Sequence, residues 1–139
     1  MRKEHKFELF MYNAMTYTDV KSFALTLYAD MQERFEGKEN QRMARNAVDD
    51  ERIAEMISKL LRKKTTCHTI IVIDEVDQFS KNDRGLTCLV KAILQTSQKA
   101  TTNCSIVGIA NSVDLPFRKK HSAIAMRDCQ LLFKPYDFE

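Results

Sequence analysis

An α/β domain built on a parallel sheet is the fold this sequence predicts, and three observations predict it. Two short apolar runs, Ile70-Ile71-Val72-Ile73 and Ser105-Ile106-Val107-Gly108-Ile109-Ala110, show no polar alternation. That is the pattern of strands buried on both faces of a parallel sheet. A helical stripe lies between them, with Leu86, Leu89, Val90, Ile93 and Leu94 recurring at three- and four-residue spacing, so the unit reads as βαβ with a right-handed crossover. Finally, only three glycines and two prolines occur in 139 residues, which argues against a loop-rich all-β fold. With 44% hydrophobic residues the chain can bury one domain's core.

In chain order, Met1 to Lys6 is charged and reads as a frayed end. Phe7 to Tyr12 reads as a strand ending on Asn13. Thr16 or Thr18 is the expected cap of the next helix, with Asp19 completing a capping box from Thr16. Val20, Phe23, Ala24, Leu27, Tyr28 and Met31 share that helix's apolar face, and Gly37 should end it. Lys38 to Asp50 is polar. Asp49, Asp50 and Glu51 suit the start of a second helix, whose stripe is Ile53, Met56, Ile57, Leu60 and Leu61 and whose end is Arg62-Lys63-Lys64. The central strand covers His68 to Ile73, Ser80 to Arg84 reads as a polar loop, and the following helix should end near Gln98. Thr101-Thr102-Asn103 reads as a turn, and Gln130-Leu131-Leu132-Phe133 as a last strand.

Net charge is +3, a weak signal for nucleic acid or membrane. Cys67, Cys88, Cys104 and Cys129 show no Cys-x-x-Cys pair and no histidine at ligand spacing, so they read as thiols in a reducing compartment. No apolar run approaches the roughly 18 residues of a membrane helix, and no signal peptide opens the chain. The expectation is a soluble intracellular chain.

The chemistry concentrates where the central strand runs into Asp74-Glu75-Val76-Asp77. In open α/β sheets, ligands bind beyond the carboxyl ends of the strands. Adjacent carboxylates repel unless a cation compensates them, which makes Mg²⁺ at Asp74 a natural proposal. This is the form of a Walker B element, in which the Asp holds Mg²⁺ through water and the next Glu polarises the attacking water. The plainer alternative is a strand followed by a solvated acidic turn. Asn111 ends the neighbouring strand, where a polar side chain can orient water or simply begin a turn.

Ile73-Asp74-Glu75-Val76-Asp77 and Gly108-Ile109-Ala110-Asn111-Ser112-Val113-Asp114-Leu115-Pro116 together resemble one family. It is the AAA+ domain of eukaryotic replication initiators, comprising the largest subunit of the origin recognition complex and the cell-division-control licensing ATPase. Phe133-Lys134-Pro135-Tyr136-Asp137-Phe138 resembles that family's exit from its last core strand, and Tyr12-Asn13-Ala14-Met15 its second strand. The resemblance implies a single partial AAA+ core over residues 1–139, a P-loop NTPase-like three-layer sandwich lacking the P-loop strand and helix and the lid. It implies Asp74 as the residue that positions Mg²⁺, Glu75 as catalytic base and Asn111 as sensor 1. Arg127 or Arg118 would be an arginine finger, or part of a basic surface loop. Lys38, Arg42 and Arg45 would contact DNA, or belong to a solvated loop. ATP and Mg²⁺ would be the cofactors of the complete family member, replication-origin DNA and other origin-recognition or licensing subunits its partners, and the nucleus its location.

One departure is large. No Gly-x-x-x-x-Gly-Lys-Ser/Thr occurs anywhere in the chain, so the backbone cradle and lysine that hold a triphosphate are missing. The expectation is a fragment or reduced paralogue that binds ATP poorly by itself. A non-catalytic AAA+-like assembly module is the alternative. A nucleic-acid helicase, which also places Asp-Glu-x-Asp after a strand, is disfavoured because Ala110-Asn111-Ser112 stands where such enzymes carry Ser-Ala-Thr.

Overall fold

In the computed structural model, residues 6–37, 48–64, 66–99 and 103–111 are described. Their elements follow in the order β1 (Phe7–Asn13), α1 (Val20–Glu36), α2 (Asp50–Lys63), β2 (His68–Asp74), α3 (Asp83–Lys99) and β3 (Cys104–Gly108). Short 3₁₀ turns cover Ala14–Thr16 and Val76–Asn82. The three strands form one parallel sheet in the order β1-β2-β3, with β2 central.

Local chemistry accounts for the helix ends. The α1 cap is Asp19, not Thr16 or Thr18. Its side chain accepts from the Ser22 N–H at 2.8 Å, while the Asp19 N–H donates back to Ser22 Oγ at 3.3 Å. A carboxylate complements the positive end of the helix as well as pairing an orphan N–H, and a hydroxyl does only the latter. Gly37 closes α1 at φ 64, and its N–H donates to Glu33 O at 2.9 Å. That left-handed position is one a β-carbon resists. Asp49 caps α2 by accepting from the Arg52 N–H at 2.8 Å, and Arg62 and Lys63 occupy the last turn. Ser80 to Arg84 differs from the expected loop. The 3₁₀ turn runs through Asn82 and α3 begins at Asp83.

Because strand order equals chain order, crossovers of one hand place all three helices on the same face of the sheet. Burial agrees with this. Phe10, Thr69, Ile71, Ile73 and Cys104 point into the helical layer and are buried with Phe23, Leu27, Met31, Ile57, Leu61, Leu86 and Ile93. Ser58 Oγ on α2 donates to Ala92 O on α3 at 3.2 Å, and Tyr12 OH on β1 donates to Asp30 Oδ2 on α1 at 2.7 Å. Burial and that hydrogen bond to a carboxylate both raise the Tyr12 pKa. Phe23 is the hub of an aromatic cluster, with ring centroids 5.3 Å from Tyr12, 5.5 Å from Tyr17 and 5.5 Å from Phe79.

The opposite face is open among the described residues. Phe7, Leu9, Met11 and Val107 are exposed there, and Ile70 and Val72 are half-buried. The sequence reads β2 and β3 as buried on both faces, whereas among the described residues β2 alternates between buried and half-buried positions, β3 grows more exposed toward its end, and Ile109 and Ala110 lie beyond the end of β3. The apolar runs are those of a three-layer sandwich of which the described residues supply two layers. At the outer side of β1, Arg34 reaches from α1 to donate to Leu9 O at 2.6 Å, with its guanidinium 4.6 Å from the Phe10 ring centroid.

Candidate functional site

The site is built where all three strands end. Register pairs Asn13 with Asp74 across β1 and β2, and Ile73 with Gly108 across β2 and β3. Parallel pairing therefore brings Asn13, Asp74, Glu75 and Asn111 to one edge of the sheet. Asn111 Nδ2 donates to Glu75 Oε2 at 2.9 Å. Neighbouring parallel strands lie ~4.8 Å apart, and here their ends are close enough for Glu75 and Asn111 to touch directly. Asn111 itself is exposed, and Asp74 and Glu75 are half-buried.

Glu75 holds an uncommon backbone conformation, φ 54, and is the one non-glycine residue with positive φ among the described residues. An L-residue pays about 1–2 kcal/mol there. Several bonds hold it. Asp74 Oδ1 accepts from the Glu75 N–H at 2.9 Å, and Glu75 O accepts from the Gln78 N–H at 2.9 Å. On either side, the Val76 N–H donates to Ile109 O and the Ile109 N–H to Ile73 O, each at 2.9 Å. Val76 and Phe79 then bury the next turn in the core. A strained residue so firmly held at a sheet edge is the kind of site at which function concentrates.

Asp74 spends Oδ1 on its neighbour's N–H, and among the described residues Oδ2 takes no partner. A hard carboxylate oxygen of this kind suits Mg²⁺ or one of its waters. No group of three or more His, Cys, Asp or Glu is gathered to hold a metal among the described residues. A cation here would rely on water and on an anionic ligand for its remaining contacts.

Two further polar residues stand at this edge. Asn13 was placed only as the end of a strand, yet the register sets it beside Asp74, where its Oδ1 accepts from the Met15 N–H at 2.8 Å. A signal existed, since each strand run closes on Asn or Asp. Asp77, the last acid of the Asp74–Asp77 run, has a buried Oδ1 that takes no partner among the described residues. Lys38, Arg42, Arg45, Arg118 and Arg127 lie outside the described residues, as do Cys129, the Gln130–Phe133 run and the Phe133–Phe138 block. The 420 Å³ groove between α1 and α2, lined by Tyr28, Met56, Leu60 and Lys63 among others, includes none of the strand-end residues.

Compared with known proteins, residues 7–125 match the model of the ATPase family associated with various cellular activities (AAA). The match takes in all three strands and the whole strand-end cluster. No curated protein matches the chain.

Proposed function

The chain belongs to the AAA family of ATPases, and on that premise we propose that it is the Walker B and sensor-1 portion of an ATPase of the origin-recognition and licensing type. The family's chemistry is ATP hydrolysis with Mg²⁺. The observation that carries the reading is the hydrogen bond from Asn111 to Glu75 at the edge where the strands end. In this reading Glu75 polarises the attacking water, accepting its proton as the oxygen attacks. Asn111 fixes the direction of that carboxylate and leaves its second oxygen for the water. Asp74 is the residue that would hold Mg²⁺, which when bound with nucleotide neutralises charge on the phosphates.

The residues of this chain fit the metal better than the triphosphate. Asp74 offers a carboxylate oxygen that no described residue occupies, but the sequence has no Gly-x-x-x-x-Gly-Lys-Ser/Thr to cradle phosphates. Hydrolysis would then need that cradle from residues outside these 139. The same fact favours a second reading, an AAA-like assembly module that keeps the fold and its contacts without nucleotide. The likeness of Ile109–Pro116 and Phe133–Phe138 to the replication initiators supports origin DNA and sibling initiator subunits as partners, with a nuclear location. Lys38, Arg42 and Arg45 are the proposed DNA contacts, and Arg127 or Arg118 the proposed finger toward a neighbouring nucleotide.

The test is to tag the chain in its own cells, purify the assembly that comes with it, and measure Mg²⁺-dependent ATP turnover. Glu75→Gln should lower turnover at least tenfold while leaving nucleotide binding in place. Full turnover in that variant removes the catalytic reading and leaves the assembly module.

A further inference from the structure

Gly108 ends β3 at the position paired with Ile73, three residues before Asn111 and directly under the turn that carries Glu75. A β-carbon built on it would lie 3.2 Å from Val76 Cγ1 and 3.9 Å from Val76 Cβ. The first distance is inside the ~3.5–4.0 Å separation at which carbon atoms pack. Val76 is almost fully buried, and its isopropyl group rests where a side chain at position 108 would stand. The same residue's N–H donates to Ile109 O, so backbone and side chain both seat Val76 on the end of β3. Glu75 is bonded directly to Val76, and Asn111 follows Ile109 by two residues. The carboxylate and carboxamide that meet at 2.9 Å are therefore the two arms of one clamp, closed through Val76 and Gly108.

We propose that Gly108 is a positioning residue for Glu75. The space left by its absent side chain lets Val76 seat on β3, and that seating sets the left-handed turn which presents Glu75 to Asn111. This rests on the reading of Glu75 as the catalytic carboxylate. Its claim about geometry stands separately, because Gly108 acts on the position of Glu75 whether or not Glu75 does chemistry. A methyl group at position 108 requires Val76 to move by a few tenths of an ångström. A branched side chain requires more, and the displacement passes to Glu75 through one peptide unit.

The experiment reads the Asn111 side-chain carboxamide by ¹⁵N–¹H NMR in the 139-residue chain carrying Phe7→Lys and Met11→Lys, which make the exposed face of β1 polar and keep the chain in solution. Glu75→Ala defines the resonance of a carboxamide with no carboxylate to donate to. Gly108→Ala should shift the Asn111 signal part of the way to that reference and Gly108→Val most of the way. Adding Val76→Ala to Gly108→Val should return the signal toward its wild-type position, because the smaller residue reopens the seat. Backbone amide shifts along β1, the far strand, monitor the fold. Should Gly108→Val disturb those, the gentler Gly108→Ala and its combination with Val76→Ala decide the matter. A carboxamide signal unmoved in Gly108→Ala and Gly108→Val overturns the proposal, and so does failure of Val76→Ala to restore it. Loss of ATP turnover in the purified assembly with an unmoved signal would strike at this inference alone. An intact clamp with full turnover in Glu75→Gln would strike only at the catalytic reading.

Discussion

The face of the sheet that the described residues leave open makes the most exposed prediction. Strands of about seven residues rise ~3.3 Å per residue and lie ~4.8 Å apart, so three of them present a face of roughly 300 Å². At ~25 cal/mol per Å² of apolar surface, covering it fully would be worth on the order of 7 kcal/mol, an upper bound because Ile70 and Val72 are already half-buried. That is comparable to the whole stability of many domains, about 5–15 kcal/mol. The isolated chain should therefore be poorly soluble, bind a hydrophobic dye strongly and melt broadly. Phe7 is 63% and Met11 67% exposed on this face. The double variant Phe7→Lys/Met11→Lys should cut dye fluorescence several-fold while changing stability by less than about 1 kcal/mol. Phe10→Ala, one residue away on the buried side, should cost about 3–5 kcal/mol. Urea titration followed by circular dichroism, with dye fluorescence in parallel, distinguishes these outcomes. A sharp wild-type melt without dye binding would refute the reasoning. So would a double variant as unstable as Phe10→Ala, since burial would then not divide the two faces of β1.

Four further outcomes can be measured, two resting on contacts described above and two on the sequence. Asp19→Ala should destabilise the chain by about 1 kcal/mol, and Thr18→Ala by at most a few tenths, as read by paired urea titrations. Burial and the bond to Asp30 raise the Tyr12 pKa above its ordinary 10.0, so their stabilisation is complete below pH 10 and is lost as pH rises beyond it. Tyr12→Phe should flatten that alkaline limb and lower neutral-pH stability by about 1–2 kcal/mol. The purified 139-residue chain alone should show no Mg²⁺-dependent ATP turnover, and turnover that Glu75→Gln abolishes would contradict this. Neutralising Lys38, Arg42 and Arg45 should weaken DNA binding by the complete assembly and flatten its salt dependence by up to about three phosphate contacts. An unchanged slope returns them to the surface.

How far the sequence reveals the molecule depends on which physical signal each part carries. Strand β2 is legible because β-branched residues stop abruptly at carboxylates, and α2 because its stripe sits between acids and bases in the right order. The meeting of Glu75 with Asn111 is legible too, for parallel neighbours must end at the same edge. The α1 cap misleads because Thr16, Thr18 and Asp19 all carry capping oxygens, and only Ser22 three residues on distinguishes Asp19. Polar residues hide the start of α3, since the same composition suits a loop and a helix's first turn. The face left open by the described residues is hidden because an apolar strand pattern records the cover a sheet requires and not which residues supply it. The left-handed turn at Glu75 leaves no trace in residue type. It arises from the seat of Val76 on β3, a contact between segments about 30 residues apart.

Arg34 gives the sheet a direction of growth. Leu9 O faces away from β2, and its bond to the Arg34 guanidinium fills the place a further strand would use at the middle of β1. A strand arriving on that side would have to evict a cation that also stacks on Phe10 and lies 3.9 Å from Glu8. No side chain plugs the outer backbone of β3 among the described residues. A strand added on the β3 side would meet no such obstacle from the described residues and would lie next to Asn111, so extending the sheet there and walling in the Glu75 notch would be a single event.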